Sequence, residues 1–536
     1  MASLYKKTIN GKPYWYLREM ARVEGKPKMV SEHYLGSAAD IEKLHDAREA
    51  QTLPTHTQHL GFGDAAAVWE ILVRLGVAGI IDSVVGARRS DAGASVGTYL
   101  GLAALNRVVA PTSKLGFAEW WKTTAVDRFT RIKSGVLGHR RFWDAMHKVT
   151  VDQLAEIEQR LALVMITTFA LDISALALDM TNFATYIDSG NEKAPIAQRG
   201  KAKQKRPDLR LVGLGLVVTR GGGVSLVSRA YPGNKPDVTQ FPAMIDLLSS
   251  RHAALAVRAG RAAPTQMTVV FDAGQNSVSN FAHVTDTGLA FVGSIPPSYV
   301  AERRVILTHS PTLHDKQAVG FLQTLTKAQS LLTELAEALA RGKTRRPTDK
   351  VVEEIRGITH DWWVRRVLTW ELTGTTPATH RLIFTVNDDA RSTLETEVFG
   401  KRILVTDQDH WPVSDVVAAY RSQSDAEFSF RQLKDPHVVS FSPMHHFTEH
   451  NIRVHTFTCV LALQIAYLIR RHADNASLHL SVRELLEQLG QVQETVLIFP
   501  STGGRPKARR ILTQTTPTQT KLSEIFNLAQ WAPKKS

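Results

Sequence analysis

The sequence predicts a multidomain α/β chain: a small β hairpin unit, then a helical domain, then a core of mixed strands and helices carrying a long insertion. Three observations support this. Alternating strands punctuated by Asn10-Gly11 and Glu24-Gly25 turns fill residues 4–36, and helical apolar periodicity dominates residues 62–165. After Asp172 the pattern changes to strand, strand, strand, helix, strand. The expected segments are 1–60 for the β unit, 61–165 for the helices, 166–300 for the first part of the core, 301–410 for the inserted subdomain, 411–475 for the end of the core and 476–536 for a basic C-terminal segment.

Composition narrows the class of partner. The 536 residues are 43% hydrophobic and 22% charged, an ordinary globular balance, but the formal net charge is +14. That excess ranks nucleic acid ahead of an acidic protein or a membrane surface. The single cysteine, Cys459, lies in the apolar run FTCVLALQIAYLI, which rules out a disulfide framework and a cysteine-based zinc site. The first residues, MASLYKKTINGKPYW, are polar and turn-rich, so no signal peptide is expected. Leu161–Leu178 is interrupted by Asp172 and Ser174, and Phe457–Ile469 is short for a membrane span. A cytoplasmic protein with no membrane partner is therefore expected.

In the hairpin unit, Tyr14, Trp15 and Tyr16 either contact nucleic acid or stack for their own stability. Basic and aromatic residues interleave from Lys114 to Arg141 in the helical domain, which fits phosphate contact and equally a solvated face over buried tryptophans.

The core opens with ISALALDM, Ile173–Met180, read as a central strand with Asp179 at its carboxyl end. The loop AQRGKAKQKRPD (197–208) supplies Lys201, Lys203, Lys205 and Arg206 as candidate DNA-facing cations. Two strands follow, LRLVGLGLVVT and VSLVSRAY, then a helix from Val238 to about Ala254, with Asp237 and Gln240 as its capping pair, and the strand MTVVFD ending at Asp272. A three-strand meander and a right-handed crossover would lay the Asp179 and Asp272 strands side by side. Neighbouring desolvated carboxylates repel unless a cation neutralises them.

The interval between Asp272 and Glu427 exceeds what one connection needs. It holds a helix over 316–342 and the strands WWVRRVLTWEL, HRLIFTVND and KRILVTD, all assigned to the insertion. Arg365, Arg366 and Arg402 either line a nucleic-acid path or are plain surface. Ser414–Lys434 then reads as one helix ending before Pro436. Its Tyr420, Glu427 and Lys434 are seven apart, so two such steps leave them within roughly 40° on one face. Glu427 by itself could equally pair with Arg431 one turn on.

Asp179, Asp272 and Glu427 together offer only oxygen ligands, which suits Mg²⁺ or Mn²⁺ over zinc. Two such ions can support in-line phosphoryl displacement. With the basic charge, the residues point to a DNA-processing nuclease or transferase. Behind this site, Asn451–His472 is expected as a buried helix; His445, His446, His450 and His455 form no recognisable ligand spacing, and the chain from Ser501 is expected to be loose.

Several segments together resemble the bacterial insertion-sequence transposases of the DDE class, in the group with a tyrosine, arginine, glutamate, lysine signature. The signature falls on Tyr420, Gln423, Glu427 and Lys434, with glutamine in the arginine position. DMTNFATYI (179–187), AQRGKAKQKRPDLRLVGLGLVV (197–218), YPGN followed by Asp237, FDAGQNSVSNF (271–281), GKRILVTD and IRVHTFTCVLAL are similar to the same family. The resemblance implies a ribonuclease-H-like catalytic core with Asp179, Asp272 and Glu427 as catalytic metal ligands for two Mg²⁺ or Mn²⁺ ions. It implies cleavage of double-stranded DNA at element ends and joining of the 3′ hydroxyl to target DNA, with Tyr420, Gln423 and Lys434 near the cut strand. Arg421 or Arg431 could substitute for the missing arginine. A homodimer on DNA follows by analogy. The rival readings are a non-catalytic DNA-binding protein derived from a transposase and a metal-dependent nuclease without strand transfer.

Overall fold

The computed structural model describes residues 2–23, 25–86, 93–203, 206–259, 267–275, 277–295, 303–342, 346–500 and 507–534. The chain is a mixed α/β protein built as two compact units. One comprises Met1–Ala170, Ile187–Ala197 and Ser429–Ser536, and the other Leu171–Tyr186 and Gln198–Phe428.

The first unit begins with an antiparallel meander of β1 (Ala2–Ile9), β2 (Lys12–Val23) and β3 (Lys26–Gly36). Its first turn places Asn10 and Gly11 at positive φ, the conformation a two-residue hairpin turn requires. Tyr14 and Tyr16 gather around Tyr34, with centroids 6.1 and 5.2 Å away, so these aromatics do stack on one another. Next come α1 (Ala38–Thr52), opened by a Ser37–Asp40 capping box, and β4 (His56–Gly61). The helices α2 (Gly63–Arg74), α3 (Val77–Val85), α4 (Val96–Val109), α5 (Phe117–Lys122), α6 (Val126–Thr130), α7 (His139–His147) and α8 (Val151–Phe169) follow. In α4 nearly every side chain is buried, which fits its small and apolar sequence VGTYLGLAALNRVV.

The second unit is organised on a sheet that, among the described residues, has seven strands. It starts with β5 (Ala175–Thr185), β6 (Arg210–Thr219) and β7 (Ser225–Pro232), an antiparallel meander. The crossover helix α9 (Asp237–Ala259) returns the chain to β8 (Thr268–Phe271), parallel to β5, and α10 (Val278–Asp286) leads to β9 (Ala290–Ile295), parallel to β8. All of β6, β8 and β9 is buried, as expected of strands covered on both faces. Gly213 makes this possible in β6: a Cβ there would lie 2.2 Å from the Tyr231 ring, which crosses the strand at that point.

After β10 (Arg304–His309) the chain leaves the sheet through α11 (Pro311–Ala340), α12 (Thr348–Ile358), α13 (Trp362–Val367), the hairpin β11 (Leu368–Thr373) and β12 (Arg381–Val386), and α14 (Asp388–Glu397). These elements share their own core, including Phe321, Leu332, Val351, Val364 and Phe399. The chain rejoins the sheet at β13 (Lys401–Thr406), giving the order β10-β13-β9-β8-β5-β6-β7. It continues into α15 (Val413–Arg421) and α16 (Gln423–Leu433).

The first unit then resumes with α17 (Glu449–Asn475), α18 (Val482–Gly490), β14 (Gln493–Phe499), β15 (Lys507–Leu512) and α19 (Pro517–Ile525). β14 pairs with both β4 and β15.

Five sequence expectations need correction. Asp179 lies within β5 and not at its end, because the strand keeps pairing with β6 as far as Thr185 opposite Arg210. KRILVTD belongs to the main sheet, paired with β9 and β10, so the insertion is shorter than residues 301–410. The first half of WWVRRVLTWEL is helical, because the Asp361 carboxylate accepts from the amides of Trp363 and Val364 and caps α13. Ser414–Lys434 is two helices: at Ser422 the buried hydroxyl donates to the Ala419 carbonyl at 2.6 Å, and i to i+3 backbone bonds replace the α pattern on either side.

The fifth correction concerns the C-terminal part. Beyond Ser501 lie a strand and a helix, not a loose tail: Glu494, fully buried, pairs with Arg128 at 2.6 Å and with Arg510, and the Trp531 indole donates to Glu70 at 2.9 Å. In the same unit, α17 is longer than expected. Among the described residues it is the one helix long and apolar enough to cross a membrane, but 94% of its apolar window is buried, and it packs against α4, α2 and α8 of its own unit.

Candidate functional site

The parallel pairing of β5 with β8 sets Ala177 opposite Val270, which brings Asp179, within β5, beside Asp272, one residue past the end of β8. Gln275 ties them together. Its amide nitrogen donates to Asp179 Oδ1 at 3.4 Å and its Oε1 accepts from the Asp272 amide at 3.1 Å. The Asp179 carboxyl is pushed up to about 6, chiefly because burial removes it from water. Asp237 and Glu427 push it the same way; the Met180 amide and Lys203 oppose them.

Apolar packing seats α15 on the sheet, with Val416, Ala419 and Tyr420 against Ala175, Val270, Val292 and Leu404. The seating delivers the Tyr420 hydroxyl to Asp272 Oδ1 at 2.8 Å, while Arg402 on β13 donates to the same hydroxyl oxygen at 3.0 Å. Burial first, and Asp272 with it, pushes the Tyr420 phenol up to about 12. The hydroxyl therefore stays protonated and acts as a donor to Asp272.

Asp272, Arg402, Tyr420, Arg421, Gln423 and Glu427 line one cleft of about 300 Å³. His309, at the end of β10, and Ser310, which caps α11, also line it. Glu427 is exposed, one helical turn after Gln423. Gln423 is 7% exposed. Its Nε2 donates to the Leu178 carbonyl at 2.8 Å, and its buried Oε1 has no hydrogen-bond partner.

Not every residue singled out in the sequence joins this cleft. Lys203, though exposed, is engaged within its own unit, donating to the Met180 carbonyl and pairing with Asp237 at 3.1 Å. Asp237 begins α9 itself, and its other oxygen accepts from the Tyr231 hydroxyl at 2.8 Å; this replaces the expected capping role with Gln240. Arg206 pairs with Asp208 at 2.6 Å. Lys201 is exposed, and Lys205 lies outside the described residues. Arg431 and Lys434 fall in the first unit, with Lys434 just past the end of α16. Among the histidines, His455 bonds the Phe441 carbonyl at 2.8 Å and His450 that of Met146 at 3.0 Å, as satisfied polar residues do.

Sequence reasoning missed Gln275 as the link between the two aspartates. Its signal was present only as part of FDAGQNSVSNF, where no spacing marks it as a bridge. The contact of Arg402 with Tyr420 was equally unreadable, because it joins a strand and a helix through tertiary packing.

Among the described residues, no three His, Cys, Asp or Glu side chains stand close enough to form a ready-made metal shell. The donor chemistry still fits a hard divalent cation. All the candidate ligands are oxygens, Asp179 is raised by burial and by carboxylate neighbours, and the Gln423 Oε1 is an orphaned acceptor.

No family model matches the sequence. No curated protein matches it either. Among solved structures, the chain is similar to the cryo-EM structure of the piggyBac transposase synaptic complex with hairpin DNA, at 8% identity and a TM-score of 0.35, over 88% of this chain and 82% of that one. A likeness that slight carries no argument about activity.

Proposed function

We propose that the chain is a DDE-class transposase of the insertion-sequence type, which cleaves double-stranded DNA at the ends of a mobile element and joins the freed 3′ hydroxyls to target DNA. One observation carries this reading: Asp179 on β5 and Asp272 just past the parallel strand β8 are joined through Gln275, and Asp272 and Glu427 line the same cleft. The strand order β7-β6-β5-β8-β9, antiparallel and then parallel, supports a ribonuclease-H-like core. The net charge of +14 suits a DNA partner.

Asp179, Asp272 and Glu427 would hold two Mg²⁺ or Mn²⁺ ions, which when bound activate an attacking oxygen and stabilise a leaving one. The chain's own groups prepare that site. Gln275 links the Asp179 carboxylate to the Asp272 backbone, and the Tyr420 hydroxyl holds Asp272 Oδ1 in one direction. Arg402 donates to the phenol oxygen, so the phenol proton must point to Asp272. Arg402 and Arg421 give the cleft positive charge where a DNA phosphate would lie. In cleavage, a water oxygen bonds to phosphorus and the bond to the 3′ oxygen breaks; in joining, that 3′ hydroxyl attacks a target phosphorus and displaces the next 3′ oxygen. Each exchange is balanced without a redox partner. A cytoplasmic homodimer bridging two element ends completes the proposal.

The test is incubation with oligonucleotides carrying the inverted repeats that flank the coding sequence, with Mg²⁺ or Mn²⁺. Nicked and joined products are expected, and Asp179→Asn, Asp272→Asn and Glu427→Gln should each lower their formation by about 10³-fold or more. Wild-type activity in any one of the three would place the chemistry elsewhere, and nicking that never proceeds to joining would favour the nuclease reading.

A further inference from the structure

We infer that the β1–β3 meander is a binding arm for nucleic acid with unpaired bases, taken on the face that carries Tyr5, Tyr14, Tyr16 and Tyr34 together with Lys7 and Arg18. The inference rests on the nucleic-acid reading of the charge, and on neither the carboxylates nor the cleft.

Its starting point is that this sheet lacks a core of its own. No residue of β1 is buried, in β3 only Gly36 is, and α1 buries none of its described side chains. Three strands need a covered apolar face to stand alone. Here Leu4, Leu17, Tyr5 and Tyr34 all stay exposed, Tyr5 at 40% and Tyr34 at 59%. An apolar and aromatic surface left open in this way marks a place where a partner sits.

Strand register sorts the side chains by face. Tyr5 pairs with Tyr16, and Lys7 with Tyr14, between β1 and β2; Tyr16 pairs with Tyr34, and Arg18 with Glu32, between β2 and β3. Paired residues share a face and faces alternate along each strand, so all of these project from the same side. The contacts agree: the Arg18 guanidinium lies 3.5 Å from the Tyr5 ring centroid, and Tyr34 packs against both Tyr14 and Tyr16. Glu32, the one carboxylate in this set, accepts from Arg18 at 2.9 Å.

Charge and ring chemistry choose the occupant. Over residues 2–36 Lys and Arg outnumber Glu seven to three, with no Asp. Phosphates match that excess, whereas a second copy of the arm would set the same excess against itself. Phosphate contact alone needs no row of rings. Aromatic side chains on an open sheet face are what unpaired bases stack on; in a duplex those base faces are already covered by their neighbours.

Fluorescence anisotropy of the full chain tests this, with a labelled oligothymidylate and a blunt duplex of equal length, in EDTA so that no strand is cut. Tyr34→Ala should weaken single-strand binding on the order of 10-fold and leave duplex binding within about 2-fold of wild type. Tyr34→Phe keeps the ring and should bind as wild type does. Lys7→Ala should flatten the logarithmic salt dependence of single-strand affinity by about 0.7. Failure of the wild-type chain to bind the single strand, wild-type affinity in Tyr34→Ala, or an equal loss on the duplex would overturn the inference. So would a loss in Tyr34→Phe as large as in Tyr34→Ala, or a change of oligomeric state in Tyr34→Ala by sedimentation, which would make the face a contact between copies of the chain. Where Tyr34→Ala loosens the sheet itself, Lys7→Ala still decides, because an unchanged salt slope there overturns the inference as well. Binding in EDTA is read apart from cleavage, so a chain that never nicks DNA leaves this result standing, and failure of the arm leaves the cleavage reading standing.

Discussion

The Tyr420 hydroxyl donates to Asp272 Oδ1 at 2.8 Å, so a tyrosine on α15 holds a candidate metal ligand directly. Tyr420→Phe removes that donor and leaves the ring packed against the sheet. We expect cleavage of element-end DNA to fall about 10- to 100-fold, the usual cost of losing an outer partner of a ligand. The stability change should be about 1 kcal/mol, the scale of one hydrogen bond. Strand-cleavage rates beside urea denaturation check both; a rate loss no larger than the stability loss explains would count against the orienting role.

Gly213→Ala probes how the second unit seats Tyr231. The added Cβ would meet the Tyr231 ring at 2.2 Å, so the ring must move and its hydroxyl must leave Asp237. Overpacking of this kind costs about 1–3 kcal/mol. A urea midpoint equal to that of wild type would show that the strand relaxes freely.

Glu494 is the buried anchor of the C-terminal strands. Its side chain is fully buried between Arg128 and Arg510. Glu494→Ala leaves the two arginines without their shared carboxylate; because both are partly exposed to water, the loss should be about 1–3 kcal/mol, below that of a fully buried pair. Chemical denaturation should show that loss. An effect under about 1 kcal/mol would mean that the C-terminal strands contribute little to this unit.

His446 sets a pH dependence in the first unit. Burial, followed by Lys114 and Arg107, pushes its pKa down to about 3. The unfolded chain therefore binds a proton that the folded one refuses between the ordinary histidine value and that level. Stability from His446 is complete above about pH 6.5 and is lost as pH falls toward 3, with a slope of up to about 1.4 kcal/mol per pH unit. His455, also lowered mainly by burial, adds to the same trend. His446→Gln should flatten the decline in melting temperature between pH 6.5 and 4; an unchanged slope would locate it in other groups.

What could be read from the chain and what could not divides along local and long-range physics. Hairpin turns, helix periodicity and the strand, strand, strand, helix, strand order are short-range patterns, and β1–β3, the helices of residues 62–165 and β5–β8 follow them. From that order and the handedness of crossovers, the adjacency of the Asp179 and Asp272 strands was also within reach. Where competing local choices were close in energy, the pattern failed. Ser422 divides a run that reads as continuous helix, Asp361 caps a helix where apolar residues look strand-like, and KRILVTD pairs across the sheet although its sequence neighbours form the insertion.

The sequence by itself determined the basic charge and offered Asp179, Asp272, Glu427 and Gln423 as candidates. The tertiary structure alone decided that Gln275 bridges the aspartates, that Arg402 reaches Tyr420, that Lys203 is committed to Met180 and Asp237, and that Gln423 Oε1 is buried without a partner. The reason is physical. Composition and periodicity report what each residue prefers among its chain neighbours, whereas hydrogen-bond partners and desolvation depend on which distant residues the packed sheet brings within about 3 Å.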